Sequence, residues 1–260
     1  MLDLQALLFD VDGTLADTER DGHRVAFNAA FAEAGLDWFW SEDLYGELLA
    51  VTGGKERIRH YLNTHRPDYV LPDDAAGFIA GLHAAKTCHY TELLARGEIP
   101  LRPGVQTLIE DARDAGLRLA IATTTTPENV TALLTHTLGA ASIDWFEVIA
   151  AGDIVPAKKP APDIYIYAME QMGLTPDQCM AFEDSHNGVR SVMGAGIRCL
   201  LVTTNGYTAA DDLAGASVVL DQLGTPGHPC RASQGVAPAD GVVDLDYLRA
   251  LHRQVLEQAA

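Results

Sequence analysis

Two carboxylates follow a short apolar run near the start of the chain. Residues 4–9 (LQALLF) have the pattern of a buried parallel strand, and the sequence DVDGT (residues 10–14) comes directly after it. Asp10 and Asp12 are spaced so that both can face one cavity as the chain leaves the strand, and Gly13 permits a tight turn. Two neighbouring acids in different environments can take opposite roles, one attacking and one moving protons.

Three later segments place polar residues in the same way. Thr123 and Thr124 end a second predicted strand, Lys159 lies in the loop after another, and Glu183 and Asp184 end a fourth. Ligands of open parallel sheets bind in the crevice at the carboxyl ends of the strands. We therefore expect these side chains to converge on the two acids.

The chemistry that this set suits is phosphoryl transfer, which demands positioning and neutralisation of charge. Lys159, the Thr123 hydroxyl and a metal ion would supply positive or donor character around the transferring oxygens. Oxygen ligands from Asp10, Asp184 and a main-chain carbonyl suit hard Mg²⁺. Each segment also has a purely structural explanation, such as helix capping by Thr126 before Pro127, and only their agreement at successive strand ends favours a site.

Composition narrows the classes of partner. The 260 residues carry 36 acids against 18 Lys and Arg, a formal net charge of −18, and such a surface repels nucleic acid and anionic lipid. We expect a small-molecule substrate, no nucleic-acid or membrane partner, and a monomer. The opening residues MLDLQALLFD do not resemble a signal peptide, and the four cysteines lack zinc or CxxC spacing, so we expect a cytoplasmic protein.

The elements that must position these residues alternate in type. From residue 105 onward, predicted helices and strands alternate; the strands are 117–123, 147–150, 179–182, 199–203 and 218–220. This alternation predicts an α/β fold with a doubly wound parallel sheet. Residues 226–241 are predicted as loop and 243–258 as a terminal helix.

Between residues 16 and 96 the pattern is different. Predicted helices over 19–34, 41–50, 55–65 and 73–94 are separated by Gly or Pro, with little that indicates a strand. We therefore predict a helical domain inserted after the first strand. The predicted domains are core residues 1–15, the helical insert 16–96, core residues 97–225, and a terminal loop and helix over 226–260.

Four segments together resemble the motifs of the haloacid dehalogenase superfamily of phosphohydrolases: LLFDVDGTL, LAIATTT, AKKPAPDIY and AFEDSHNGV. The resemblance spans residues 5 to about 220. It implies Asp10 as the nucleophile that carries an aspartyl-phosphate and Asp12 as the general acid/base. It also implies Thr123 and Lys159 as phosphate ligands, with Thr124 standing where the family often has asparagine. A Mg²⁺ ion is implied between Asp10, the Asp12 carbonyl and Asp184, with Glu183 acting through a water.

The insert, residues 16–96, is similar to the family's helical cap, which closes over the site and selects the substrate. Within this cap, DTERDGHRVAFNAAF and LLAVTGGKERIRHYL resemble the CbbY-like branch, which implies a sugar bisphosphate such as xylulose 1,5-bisphosphate. The residues predicted to bind substrate are Glu19, His23, Gly53, Gly54, Lys55, Arg57 and Lys86. Gly53, Gly54 and Lys55 would let backbone amides and an ammonium group approach a distal phosphate.

Three alternatives stay open. A phosphoglucomutase of the same superfamily shares the core; its cap histidine falls five residues after the hinge aspartate, where this chain has Gly22, but Lys86 sits where the mutase has its cap lysine. A dehalogenase needs no acid at the second position, so Asp12 argues against it. A catalytically silent binding protein has no reason to keep Asp10, Lys159 and Asp184.

Overall fold

The computed structural model describes residues 3–258, and its centre is a seven-stranded sheet in the order β3-β2-β1-β4-β5-β6-β7. Six strands run parallel and β7 pairs antiparallel with β6. The strands are β1 (Ala6–Phe9), β2 (Arg118–Ala122), β3 (Phe146–Ala150), β4 (Cys179–Glu183), β5 (Cys199–Thr203), β6 (Val218–Leu220) and β7 (Ala232–Gln234). The predicted doubly wound parallel sheet is therefore confirmed.

Strand β1 is central because its neighbours come from distant parts of the chain. Ala6 pairs with Arg118 of β2 on one side and with Cys179 of β4 on the other. All four residues of β1 are buried, as expected for a parallel strand covered on both faces. The loop that begins at Asp10 therefore leaves the middle of the sheet, where the strand order reverses direction and ligands of such sheets bind.

Helices cover both faces of the sheet and form two apolar clusters with it. Gly116 and Gly173 follow two of these helices with positive φ, the conformation that ends a helix readily only at glycine. Thr126 caps α6, accepting a hydrogen bond from the Asn129 amide at 3.4 Å. The core helices are α5 (Val105–Asp114), α6 (Pro127–Leu138), α7 (Asp163–Met172), α8 (His186–Gly194) and α9 (Leu245–Gln258).

The carboxyl-terminal region differs from its prediction in one place. Residues 226–241 were predicted as loop, but Ala232–Gln234 forms strand β7 at the edge of the sheet. The three residues are exposed and show no apolar alternation, so the pairing is made by backbone groups that leave no sequence signal. Helix α9 packs through Leu248 and His252, and His252 Nε2 lies 2.9 Å from the Asp177 carbonyl oxygen.

The cap has its own core, built mainly from aromatic side chains. Its α-helices are α1 (Arg24–Glu33), α2 (Glu42–Leu48), α3 (Gly54–His65) and α4 (Ala75–Ala95). Trp40 packs on Phe27 and Phe31 with ring centroids 4.6 and 4.9 Å apart. A cluster of this kind holds the helices together separately from the sheet.

Two adjacent backbone segments join the cap to the core. Ala16 forms an antiparallel bridge with Leu101, so the outgoing and returning chains lie side by side. Arg102 follows this bridge and is buried, donating to the carbonyl oxygens of Gly13, Thr204 and Asp221. The hinge is therefore fixed to the loops of the strand ends.

Among residues 3–258, no helix combines the length and apolar character needed to cross a membrane. All four cysteines are free thiols; Cys88 is exposed and the others are buried.

Candidate active site

The carboxyl ends of β1 and β4 bring three buried acids together. Asp10, Glu183 and Asp184 each offer an oxygen, and these oxygens all lie within 4.8 Å of one another. Lys159 reaches this group from the loop before α7, with Nζ 2.6 Å from Asp10 Oδ1 and 2.6 Å from Glu183 Oε1. Four residues predicted from the sequence therefore share one buried site: Asp10, Lys159, Glu183 and Asp184.

The two adjacent acids of β4 have different partners. Glu183 Oε1 also accepts a hydrogen bond from the Tyr165 hydroxyl at 2.5 Å, so this oxygen is already bound by two donors. Asp184 Oδ2 accepts one from the Asn205 side chain at 2.7 Å. Glu183 thus holds Lys159 in place, whereas Asp184 keeps an oxygen for a further ligand.

The carboxyl groups of this cluster outnumber its one lysine. Burial raises the pKa of Asp10 to about 7; Lys159 opposes this shift and Glu183 adds to it. Burial and the charges of Asp10 and Glu183 raise the pKa of Asp184 well above its usual value. Three carboxylates face one lysine, and hard oxygen donors at this spacing fit Mg²⁺. The donor set therefore fits the predicted metal.

Gly13 allows the loop after β1 to pass close to this cluster. Its φ is +84°, and a side chain there would place a Cβ atom 2.2 Å from Asp184 Oδ2. Only glycine tolerates both the conformation and the approach. The turn predicted from DVDGT thus brings the backbone against the acids of β4.

The carboxylate of Asp12 is bound by two residues of the cap, Thr18 and His23. Its Oδ1 accepts a hydrogen bond from Thr18 Oγ1 at 2.6 Å and lies 2.7 Å from His23 Nε2. Burial acts to raise the pKa of Asp12, but the charge of His23 and the hydrogen bonds of His23 and Thr18 together place it below its usual range. Among the hydrogen bonds of residues 3–258, Oδ2 of Asp12 accepts none.

A π-helical turn, Glu19–His23, brings His23 to that position. Such a turn takes in one residue more than an α-helical turn. His23 comes one place later than the cap histidine of the mutases, and the wider turn accommodates the extra residue. The presence of Gly22 five residues after the hinge aspartate therefore does not distinguish a mutase from a phosphatase.

Lys86 completes a buried chain from Asp12 into the cap. Its Nζ lies 2.8 Å from His23 Nδ1 and sits over the rings of Phe27 and Tyr90 at 5.3 and 5.0 Å. Burial lowers the pKa of Lys86 to about 8, although the charge of Asp12 acts in the opposite direction. The sequence predicts that Lys86 binds substrate. In the structure Lys86 contacts His23 and lines a cavity between the cap and the core.

Glu19 and Arg57 meet through Tyr45, which the sequence indicates only weakly as a cap residue of the site. The Tyr45 hydroxyl donates to Glu19 Oε2, and Arg57 Nη1 donates to the same hydroxyl oxygen at 2.9 Å. Arg57 is buried beneath the cavity surface and its guanidinium carbon lies 5.2 Å from the Tyr45 ring centre. A cap carboxylate and a cap guanidinium thus face the acids of the core.

Lys55 lies at the cavity rim, at the start of α3. Its Nζ donates to Asp153 Oδ2 at 2.5 Å, so the predicted distal-phosphate ligand is paired with a carboxylate. Gly53 has φ +95°, and a Cβ atom there would lie 2.9 Å from Lys158 Nζ. A side chain on Gly54 would meet His83 at 2.5 Å. The two glycines therefore keep the rim open between three basic side chains.

Thr123 and Thr124 directly follow β2, beside the acids. Thr123 is buried, its amide donates to the Ala150 carbonyl oxygen at 2.9 Å, and its hydroxyl oxygen accepts weakly from the Thr125 amide at 3.3 Å. Both residues line the cavity around Asp10. Both threonines therefore lie at the cavity that contains Asp10, and their role as phosphate ligands remains a prediction.

Two adjoining cavities, each of about 490 Å³, lie between the cap and the strand ends. The first contains Asp10, Lys159 and the acids of β4, and we call it the core cavity. The second is the rim cavity, where burial lowers the pKa of His83 to about 4. Its charged and titratable lining comprises His23, Lys55, Arg57, His83, Lys86 and Lys158 together with the acids Asp12, Glu19, Glu128 and Asp153. Asp12, Glu19, Arg57 and Thr124 line both. A ligand can therefore extend from one cavity into the other past Asp12.

Several residues of the site were not predicted from the sequence. Asn205 follows β5 in the segment VTTNG, and its position after a strand was the signal that could have identified it. Tyr165 lies in helix α7 with no polar neighbour in sequence that indicates a site, and its hydroxyl partner Glu183 comes from β4. Asp153 lies after β3, where no motif drew attention to it.

Comparison with known proteins gives a consistent result. A family model described as haloacid dehalogenase-like hydrolase matches residues 4–196. The plasmid-encoded protein CbbY of Cupriavidus necator is 48% identical over 259 residues, covering 98% of this chain and 100% of that protein.

Two solved structures extend the comparison. A variant of CbbY from Rhodobacter sphaeroides in complex with xylulose 1,5-bisphosphate is 48% identical, covers 84% of this chain and 94% of its own, and superposes with a TM-score of 0.77. A β-phosphoglucomutase from Clostridium difficile covers 98% and 99% with a TM-score of 0.74, but at 18% identity it shows the fold alone.

Proposed function

The chain belongs to the haloacid dehalogenase-like hydrolase family, and from this premise we propose that it is a Mg²⁺-dependent phosphatase of a small sugar phosphate, a pentulose bisphosphate such as xylulose 1,5-bisphosphate. The observation that supports this most directly is the pair of adjoining cavities. The core cavity holds the acids and Lys159, and the rim cavity holds basic side chains. A substrate with an anionic group at each end matches that arrangement.

The acids and the lysine suit attack on phosphorus. Asp10 would add to the phosphorus atom while the sugar oxygen leaves with a proton from Asp12, giving an aspartyl-phosphate. Water would then attack that phosphorus, Asp12 would take the proton of the water, and phosphate would leave with Asp10 restored. Lys159 and Thr123 would bind the phosphoryl oxygens through both steps.

Asp10 and Asp184 would hold the metal ion, with Glu183 close enough to act through a water. The ion, when bound, neutralises the carboxylates and the phosphoryl oxygens. It also counters the raised pKa of Asp10, since a nearby positive charge favours the ionised carboxylate that the attack requires.

Asp12 would alternate between acid and base with help from the cap. His23 and Thr18 fix the position of Oδ1, which orients Oδ2 toward the leaving oxygen. A phosphate ester entering beside Asp12 adds negative charge and so raises its pKa, which favours the protonated form that the first step needs.

The second phosphate would bind in the rim cavity. Lys55 at the N-terminus of α3 and the backbone amides of Gly53 and Gly54 are placed where a phosphate bound there would meet them. Glu19 would accept hydrogen bonds from the sugar hydroxyls because it lines both cavities. The complex of the 48% identical Rhodobacter sphaeroides protein with xylulose 1,5-bisphosphate supports this substrate class.

A phosphosugar mutase is the second candidate, and one observation favours it. His23 and Lys86 form a chain to Asp12, which gives this site the cap histidine and cap lysine expected of a mutase. A mutase would return the phosphoryl group to another sugar oxygen, whereas a phosphatase passes it to water.

One panel separates the two candidates. Phosphate release is measured with xylulose 1,5-bisphosphate, ribulose 1,5-bisphosphate, phosphoglycolate and both glucose phosphates, with Mg²⁺ and with chelator. A metal-dependent preference for a pentulose bisphosphate supports the phosphatase. Consumption of β-glucose 1-phosphate without phosphate release would instead establish the mutase, and turnover of haloacids without metal would reject both.

A further inference from the structure

Asp153 lies at the edge of the rim cavity and is held by two lysines. Lys55 Nζ donates to its Oδ2 at 2.5 Å, and Lys158 Nζ lies 2.9 Å from its Oδ1. Lys55 belongs to cap helix α3 and Lys158 to the core loop after β3. One carboxylate therefore bridges the cap and the core at the place where a second phosphate would bind.

The charge at this position is permanent at neutral pH. The hydrogen bonds from Lys55 and Lys158 are the main causes that lower the pKa of Asp153 to about 2. Glu56 Oε2 lies 3.1 Å from Lys158 Nζ on the opposite side, so Lys158 has two acidic neighbours. The lysine pair is thus neutralised within the protein itself.

We propose that Asp153 acts as an internal anion that occupies Lys55 and Lys158 until a second phosphate displaces it, and that it thereby sets the selectivity between bisphosphorylated and monophosphorylated sugars. This inference rests on the proposed function. A phosphate monoester carries about −1.5 to −2 charges and three acceptor oxygens at neutral pH, against one charge and two oxygens for a carboxylate. The phosphate therefore binds the lysine pair more strongly than Asp153 does.

Exchange requires little rearrangement. The Asp153 side chain is 60% exposed, so it can turn into water and stay hydrated when it leaves the lysines. A monophosphate bound over Asp10 has no group to displace it, so the carboxylate stays in place and the rim keeps its neutral balance. Asp153 therefore lowers the affinity for a second phosphate group at the rim. It does not affect a monoester, which has no second phosphate group.

The test compares Asp153→Asn with the parent protein and with Asp144→Asn. Asp144 is an exposed acid in the turn before β3, at the opposite end of that strand from Asp153, and its substitution makes the same change in net charge. The readout is the inhibition constant of xylulose 1,5-bisphosphate and of fructose 1,6-bisphosphate against hydrolysis of p-nitrophenyl phosphate, divided by the KM of that monoester. Inhibition is measured whether or not the bisphosphates are turned over.

Asp153→Asn is expected to lower that ratio about fivefold, which corresponds to one partly exposed ion pair. Asp144→Asn should leave it unchanged, and adding Lys55→Met to Asp153→Asn should remove the gain. An unchanged or higher ratio in Asp153→Asn would overturn the inference. If the parent protein fails to hydrolyse any bisphosphate, the proposed function fails, while the ratio still decides the role of Asp153.

Discussion

The core and the cap contribute to the site in different ways. The core side chains Asp10, Lys159, Glu183 and Asp184 are buried and hydrogen-bonded to one another or to neighbours. The acids lie at the ends of the adjacent strands β1 and β4, and Lys159 lies in the loop before α7. The cap side chains reach the site from helices that pack on a separate aromatic cluster. The reacting groups are thus held by the sheet, and the groups that meet the rest of the substrate can move with the cap.

The core and the rim should tolerate substitutions differently. A charge lost from the core leaves buried partners without compensation, which is costly. When one charge of a pair at the rim is lost, water can hydrate the remaining partner, because Lys55 and Asp153 are partly exposed. Substitutions in the core should therefore affect every substrate, whereas substitutions at the rim should affect some substrates more than others.

The largest effect is expected from Asp10→Asn. The amide cannot attack phosphorus, so phosphate release should fall by roughly 10⁴-fold or more on every ester. Circular dichroism and thermal unfolding should show a folded protein, because the side chains have the same shape. Activity within tenfold of the parent protein would contradict the assignment of the nucleophile.

The second expected effect concerns the stability of the metal-free core. Burial raises the pKa values of Asp10 and Asp184, so the folded state binds more protons than the unfolded state between the ordinary value and about pH 7 for Asp10. Stability from these groups is therefore present at low pH and is lost as pH rises, on the order of a few kcal/mol.

The measurement is the Tm in chelator at pH 5.5 and pH 8. We expect a drop of roughly 5–10 °C between them that Mg²⁺ reduces. Asp184→Asn should flatten the pH dependence because it removes one of the two acids. A metal-free protein that is more stable at pH 8 would show that the acids are already compensated.

A smaller effect, on every substrate, is expected where the cap touches the core chemistry. His23→Asn removes the contact to Asp12 Oδ1, and misplacing that carboxylate should lower kcat by roughly 10- to 100-fold. His89→Asn is the matched control, because His89 is also a cap histidine beside a carboxylate, 2.7 Å from Glu33, but lies away from the site. Equal losses in both variants would indicate damage to the cap fold.

The smallest effect should distinguish substrates. Lys55→Met is expected to lower kcat/KM for a pentulose bisphosphate about tenfold more than for a monoester, since its proposed partner is the distal phosphate. Arg59→Met, an exposed position on the same helix, serves as the control for a lost positive charge. The same loss on both substrate classes would remove Lys55 from substrate selection.

Much of the core was predictable because its signals are local. Apolar runs that end in polar residues identified the strands, and the rule that ligands bind at their carboxyl ends brought Asp10, Lys159 and Asp184 together. The motifs identified the family, which the comparisons confirm. The domain boundaries, the roles of the site residues, the monomeric state and the cytoplasmic location remain predictions.

What the sequence could not supply depends on distant contacts. The π-helical turn at Glu19–His23 has no recognisable spacing signal, yet it decides whether His23 reaches Asp12. Strand β7 is set by backbone pairing of exposed residues. The pairing of Lys55 with Asp153 joins residues from separate parts of the chain, so no local pattern indicated it.

The central place of β1 has a consequence for biosynthesis. Strand β1 is made well before its two partner strands, which begin at Arg118 and Cys179. At about 5–20 residues per second, roughly ten to forty seconds pass before both neighbours exist. Throughout that interval at least one edge of the apolar strand β1 has no partner, while the cap helices that carry the aromatic cluster are already made. The nascent chain thus presents an aggregation-prone edge until β4 is translated, and any pause before that point prolongs its dependence on chaperones.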